Sequence, residues 1–280
     1  MVEPSRPASK VGLYSIPELE ARGVDRRRRD RLVRQGRLIP AARGWFATGE
    51  ADPSALSALR SGVRLTCVSA ARLHGLWTPK TPGTHAYGRR GSVPSGFVRH
   101  GPYLDRWPEP DPIASPSLCL EHAARCLSAE FAATLVESAL TQRLLHPAQV
   151  ELLTSRLPAR IRDRLLPVSG LSESGSETRV ARWLRARCVP FRQQVQIDGV
   201  GRVDILVGRS WVIEVDSRAH HTSVADYERD RRRDLAARIR GYTVTRLSFT
   251  QVWDTWPATQ VDLAALVSTR RHLHPPRPAN

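Results

Sequence analysis

The 280-residue chain has no run of about eighteen apolar residues, and no lipidation or amphipathic-anchor signal, so nothing in it reads as a membrane element. Its first ten residues lack the apolar core of a secretory signal, and a cytoplasmic protein is expected. Cysteine is scarce. The four present, Cys67, Cys119, Cys126 and Cys188, are widely scattered and show no Cys-x-x-Cys or Cys/His ligand spacing, which argues against a zinc site or a disulfide framework. Acidic residues are outnumbered, 27 Asp and Glu against 43 Lys and Arg, with arginine dominating the basic count. The resulting formal charge of +16 implies a polyanionic partner. With no RNA-recognition signature of stacking aromatics, the expected polyanion is DNA.

What is present concentrates near the C-terminus. Gly201-Arg-Val-Asp204 is followed by Val212-Ile-Glu-Val-Asp216-Ser-Arg-Ala-His220-His221. Val203, Ile205 and Val207, then Trp211, Ile213 and Val215, alternate with period two and are rich in β-branched residues, which predicts two hairpin strands joined at Gly208-Arg-Ser210. Glu214 and Asp216 leave the same face of the second strand, and Asp204 can close the group from its neighbour. Carboxylates converging at a strand end raise each other's pKa unless a hard cation sits between them, so Asp204, Glu214 and Asp216 are candidate ligands of Mg²⁺ or Mn²⁺. The rival reading is a structural cluster paired to Arg202, Arg218 or Arg233.

The flanks supply further candidates. Ser174 caps a helix that puts Glu177 on the stripe of Val180, Ala181 and Leu184, where an unpaired carboxylate would be costly. Gln193 and Gln194 precede the strand Val195 to Ile197, on the approach to the acidic hairpin. A helix from about Ser223 to Arg240 aligns Asp226, Asp230 and Asp234 among arginines. The strand Thr243 to Leu247 carries Arg246, available to a phosphate or to an acid of the cluster.

The Asp204 and Glu214 arrangement resembles the PD-(D/E)XK nuclease superfamily. With Asp226-Tyr-Glu-Arg-Asp230-Arg-Arg-Arg233-Asp234 and Gly241-Tyr-Thr-Val-Thr-Arg246-Leu following, it is similar to the very-short-patch repair endonuclease-like domains at the C-terminus of many actinobacterial proteins. The resemblance spans about Ser174 to Leu266. It implies a metal-dependent phosphodiester hydrolase in which Glu177, from the first helix, reaches the metal site. Asp216 stands where the superfamily usually has lysine, and the very-short-patch type, which also lacks it, draws on histidine; His220 or His221 would then act as general acid or base. Asp230 and Arg233 match the Asp/Arg positions of the resembled domains. The very-short-patch enzymes carry a structural zinc, for which this chain shows no ligand pattern.

At the other end, Ser15 and Glu18 have capping-box spacing before a short helix ended at Gly23. Asp25 can cap an arginine-rich helix, Arg26 to Arg34, stopped at Gly36. Arg37-Leu-Ile-Pro40 and Gly44-Trp-Phe-Ala47 follow as strands with a basic turn. Together they predict a winged helix-turn-helix over 11–50, which resembles the N-terminal domains of AbiEi-type antitoxins. Arg26, Arg27, Arg28, Arg31 and Arg43 are the expected DNA contacts.

Between the ends, 51–166 is expected to be mainly helical. Strand-like fragments stand at Thr84 to Tyr87 and Gly96 to Arg99, and helical spacing runs from Pro116 to Leu145. His74, His85, His100, His122 and His146 lie singly and are expected to be structural. Pro167 to Gly175 forms a linker before a nuclease-like domain over 174–268, and His272 to Asn280 is expected to be a disordered tail. The expected fold is α/β, α+β overall, with a restriction-endonuclease-like mixed sheet flanked by helices at the C-terminus. The function this implies is a metal-dependent DNA endonuclease. The alternative is a non-catalytic DNA-binding regulator or antitoxin-like protein with a degenerate nuclease domain, with a cognate toxin or a second copy as partner.

Overall fold

The computed structural model describes residues 11–88, 92–101, 111–216 and 224–278; within the last range, the side chains of 224–227, 229 and 230 are not described. The fold is α+β, with three sheets and twelve α-helices among the described residues. The chain divides into two compact units, Met1–Pro167 and Val168–Asn280, the division falling at the head of the Pro/Gly/Ser-rich stretch. None of the described helices is long and apolar enough to cross a membrane.

The first unit begins with β1 (Leu13–Ser15), α1 (Ile16–Ala21), α2 (Arg26–Arg34), β2 (Ile39–Ala42) and β3 (Trp45–Ala47). Both helix starts follow from local chemistry. Ser15 and Glu18 form the expected capping box, and the Asp25 carboxylate accepts the Arg28 N–H at 2.7 Å. Strand β1, which no sequence pattern announced, completes an antiparallel sheet of order β1-β3-β2.

Next come α3 (Pro53–Arg60), β4 (Val63–Leu65), α4 (Cys67–Leu73), β5 (Thr84–Gly88), β6 (Phe97–His100), α5 (Pro116–Cys126), α6 (Ala129–Thr141), α7 (Pro147–Ser155) and α8 (Ala159–Leu165). The region is helical as expected, but its strands form a second sheet, β4-β5-β6, in which β5 and β6 run parallel. Strand β4 is only three residues long, too short for alternation to distinguish it from the helices on either side.

The second unit runs α9 (Gly175–Ala186), β7 (Phe191–Ile197), β8 (Gly201–Val207), β9 (Trp211–Val215), α10 (Val224–Ile239), β10 (Thr243–Leu247), α11 (Phe249–Trp253) and α12 (Trp256–Ser268), closed by a 3₁₀ turn at Arg271–Leu273. Its sheet is mixed, order β10-β9-β8-β7. Strands β7, β8 and β9 form an antiparallel meander, and α10 crosses over to place β10 parallel to β9. Both faces are covered. Val180, Trp183 and Leu184 of α9, Val252 of α11, and Trp256 and Leu263 of α12 pack on Ile205, Val207, Trp211 and Ile213. Ala237 of α10 packs on Val203, Leu206 and Val212 from the other side. Burial on both faces explains why β9 reads as a nearly continuous apolar run.

The expected disordered tail is corrected at its start. His272 is buried, its ring lies against Trp211, and its carbonyl accepts the Arg209 N–H at 2.7 Å. That docking requires glycine in the hairpin turn: a Cβ on Gly208, at φ 59°, would meet the His272 carbonyl oxygen at 2.3 Å.

Candidate functional site

Regular pairing between β8 and β9 ends at Ile205–Ile213, one pair short of Asp204 and Glu214. In place of a ladder, the Asp204 carboxylate accepts the Val215 N–H at 2.9 Å, and the Glu214 carboxylate lies 3.4 Å from the Asp204 N–H. Across β7 the same level is also irregular. Gln194, opposite Asp204, adopts a left-handed conformation (φ 53°) and drops out of the β7–β8 register between Gln193–Ile205 and Val195–Val203.

The consequence is a switch of faces. Phe191, Ile205 and Val207 join the core beneath α9, α11 and α12, whereas Val195 and Val203, of the same parity, join the core beneath α10. The expectation that Val203, Ile205 and Val207 share a face is therefore corrected. An uninterrupted period of two would have carried Val203 into the same core as Ile205.

Helix α9 supplies the third acid. Ser174 caps it as expected, accepting the Glu177 N–H at 3.1 Å, and the stripe of Val180 and Leu184 faces the core. Glu177, 4 % exposed, accepts the Glu173 N–H and the Gln194 Nε2–H, each at 2.9 Å. Burial, then the charge of Asp204, pushes its carboxyl up to about 7. Burial and the same neighbour push Glu214 up to about 8, although Arg233 works in the opposite direction from 3.2 Å. Asp204 is raised by burial too, against the pull of the Val215 N–H. All three acids resist ionisation, and each would be relieved by a cation.

The other candidates are distributed differently. Asp216 lies beyond the end of β9; its N–H bonds to the Leu247 carbonyl at 2.9 Å and its half-exposed carboxylate lies 3.3 Å from Arg246. Arg246 stands beside Glu214 in the parallel register, yet its guanidinium forks onto Asp234, with Nε and Nη2 each at 2.9 Å from a carboxylate oxygen. Arg233 holds the Val200 and Arg202 carbonyls as well as Glu214. Arg202 turns away to Glu173 in a bidentate pair at 2.7 and 2.9 Å. His220, His221 and Arg218 lie outside the described residues, as do the side chains of Asp226 and Asp230.

The chemistry of the donor set suits a hard divalent ion. Fully ionised, Glu177, Asp204 and Glu214 carry three negative charges against one on Arg233. The Gln194 side-chain oxygen, Oε1, is also buried with no hydrogen-bond partner among the described residues, while its Nε2 donates to Glu177.

One expectation about the first unit is corrected. Cys67 and Cys126, read as unrelated, converge with His85 and His100, read as single structural histidines. No sequence spacing announces this, because the four come from separate elements. In the basic helix, Arg26, Arg27, Arg28 and Arg31 are exposed, as is Arg43, while Arg29 turns inward over Phe46 with its guanidinium carbon 5.5 Å from the ring centroid.

No protein-family model matches the chain, and no curated protein matches it.

Proposed function

We propose that the chain is a metal-dependent DNA endonuclease, with a restriction-endonuclease-like catalytic unit at the C-terminus and a winged helix-turn-helix grip at the N-terminus. The observation that carries this reading is the meeting of Asp204 and Glu214 where β8 and β9 stop pairing, each carboxyl displaced upward, with Glu177 near enough for the charge of Asp204 to raise it as well. Acids with perturbed pKa values at a strand divergence are what phosphodiester hydrolysis uses to hold a cation against a scissile phosphate.

In this reading Asp204 and Glu214 are the ion's ligands, and Glu177 with Gln194 positions water on the α9 side. A bound Mg²⁺ or Mn²⁺ would supply charge neutralisation at the phosphate and a more acidic water. Arg233 orients Glu214 and limits the repulsion among the acids. Asp216 serves the fold through Arg246, and the missing superfamily lysine is therefore not replaced by it. The exposed arginines of α2 and Arg43 would neutralise phosphates of the duplex, giving affinity that falls steeply with salt.

The test is cleavage of plasmid and mismatched duplex DNA by the purified chain, with Mg²⁺ or Mn²⁺, with chelator, and by Asp204→Asn. Nicking that needs the ion and disappears in the variant supports the reading. DNA binding at undiminished affinity without any cleavage would instead identify a regulator built on an inactive nuclease scaffold.

A further inference from the structure

In the first unit the parallel register of β5 and β6 sets His100 beside Tyr87, two residues along from His85, so the two histidines share one face of the sheet. Helix α5 presents His122 and Cys126 to that face, four residues apart and therefore on one side of the helix. The ring of His122 stacks on His100 at 5.4 Å and meets Tyr87 edge-on at 5.4 Å. Cys67 opens α4 one residue after the end of β4, in a left-handed conformation (φ 50°) that departs from helical geometry at its first residue.

One donor atom from each of Cys67, His85, His100 and Cys126 lies within 4.8 Å of all the others. His85 Nδ1 and His100 Nε2 are 2.9 Å apart, and Cys126 Sγ is 3.9 Å from His85 Nδ1. Ligand atoms at tetrahedral zinc stand about 3.3–3.8 Å from one another, given bond lengths of about 2.0–2.1 Å to nitrogen and 2.3 Å to sulfur. The cluster is thus close to ligation distance without rearrangement of the backbone.

We propose that Cys67, His85, His100 and Cys126 form a structural zinc site. Two thiolates and two imidazoles are the soft and borderline donors that select Zn²⁺ over the hard cations suited to the acidic site of the second unit. Two thiolates also neutralise the ion's charge, which a buried site requires. With four protein ligands no position is left for substrate, so the role is to hold the fold together. The ligands belong to α4, β5, β6 and α5, so the metal ties the sheet to α4 and α5, across separations in sequence of 18, 15 and 26 residues.

The surroundings match those of a zinc ligand set. Three of the four side chains are buried, and Cys126 is exposed, which leaves an entry path. The His85 N–H is fixed by Ser69 Oγ at 2.8 Å and its carbonyl accepts the Thr66 N–H at 3.0 Å, locking the backbone of a ligand. The His122 ring that stacks on His100 is itself held by Thr66 Oγ1 at 2.8 Å, which restrains the orientation of the His100 imidazole.

The full chain, purified without a metal-binding tag, should carry one zinc per molecule by elemental analysis. Cys126→Ser and His100→Ala should each lose most of it, while Asp204→Asn keeps it. Cobalt added to the metal-stripped wild type should give the visible bands of tetrahedral Co²⁺ and a thiolate charge-transfer band, whatever the solubility of the variants. A wild type with neither zinc nor the cobalt spectrum, a Cys67–Cys126 disulfide in the isolated protein, or full zinc retention in both ligand variants would overturn the proposal.

Discussion

Gln194 Nε2 donates to the Glu177 carboxylate at 2.9 Å from a residue whose own backbone is left-handed, so the bond that ties β7 to α9 and the break in strand alternation arise at one position. A left-handed non-glycine residue costs of order 1 kcal/mol or more and persists where its surroundings hold it. Gln194→Gly should relieve that backbone while removing the bond, leaving Glu177 harder to ionise. We expect cleavage by this variant to require higher pH or more metal than the wild type, with folding intact by circular dichroism. An unchanged metal requirement would remove Gln194 from the site.

Asp204→Asn and Glu214→Gln should each lower metal-dependent cleavage by about two orders of magnitude or more, since each removes a proposed ligand of the charge-stabilising ion. In chelator the same substitutions should leave stability unchanged or raise it, because they relieve a buried carboxyl that resists ionisation. Thermal unfolding with and without Mg²⁺ checks both halves: metal should raise the wild-type melting temperature and leave the Asp204→Asn value unmoved.

The pH dependence has a definite sign. Glu177 and Glu214 have folded-state pKa values of about 7 and about 8, above the unfolded carboxylate value of about 4.3, so between those limits the native state binds more protons than the unfolded one. Their contribution in metal-free protein is therefore most favourable below about pH 4 and is progressively lost as pH rises through 7 to 8. The difference in melting temperature between wild type and Glu214→Gln in chelator should widen in favour of the variant from pH 5.5 to 8.5. Mg²⁺ affinity should increase over the same interval, because binding releases those protons.

Arg246 should be structural. Replacing it with alanine leaves Asp234, largely buried, without its fork, at a cost of about 1.5–3 kcal/mol by chemical denaturation. Asp216→Ala, which removes only the half-exposed partner, should cost less than about 1 kcal/mol and leave cleavage within a few-fold of wild type. A loss of cleavage comparable to that of Asp204→Asn would return Asp216 to the metal site.

Neutralising Arg27 or Arg31 on the exposed side of α2 should weaken binding to all duplexes alike. It should also reduce the slope of log affinity against log salt by about one for each phosphate no longer neutralised. Arg29→Ala should act through stability instead, since this arginine packs over Phe46 within the fold.

Short-range chemistry made a large part of the molecule readable from residues alone. The caps at Ser15, Asp25 and Ser174 depend on contacts within three residues, and each is in place. The β8–β9 hairpin and its Gly208–Ser210 turn followed from alternation and turn chemistry, and Glu177 was legible as an acid on an apolar stripe. The strand β4 and the docked His272 were not, because a three-residue strand carries no period and a tail's docking depends on a surface built elsewhere.

By itself, then, the sequence determined the local elements, the positive charge and the acids available to a cation, all properties of residues near one another in the chain. Only the tertiary structure decided that alternation breaks at Gln194 and Asp204, that Arg246 reaches Asp216 and Asp234, and that Cys67, His85, His100 and Cys126 meet. Those outcomes depend on how separate strands and helices register against one another, and long-range packing, which no local pattern encodes, sets that register.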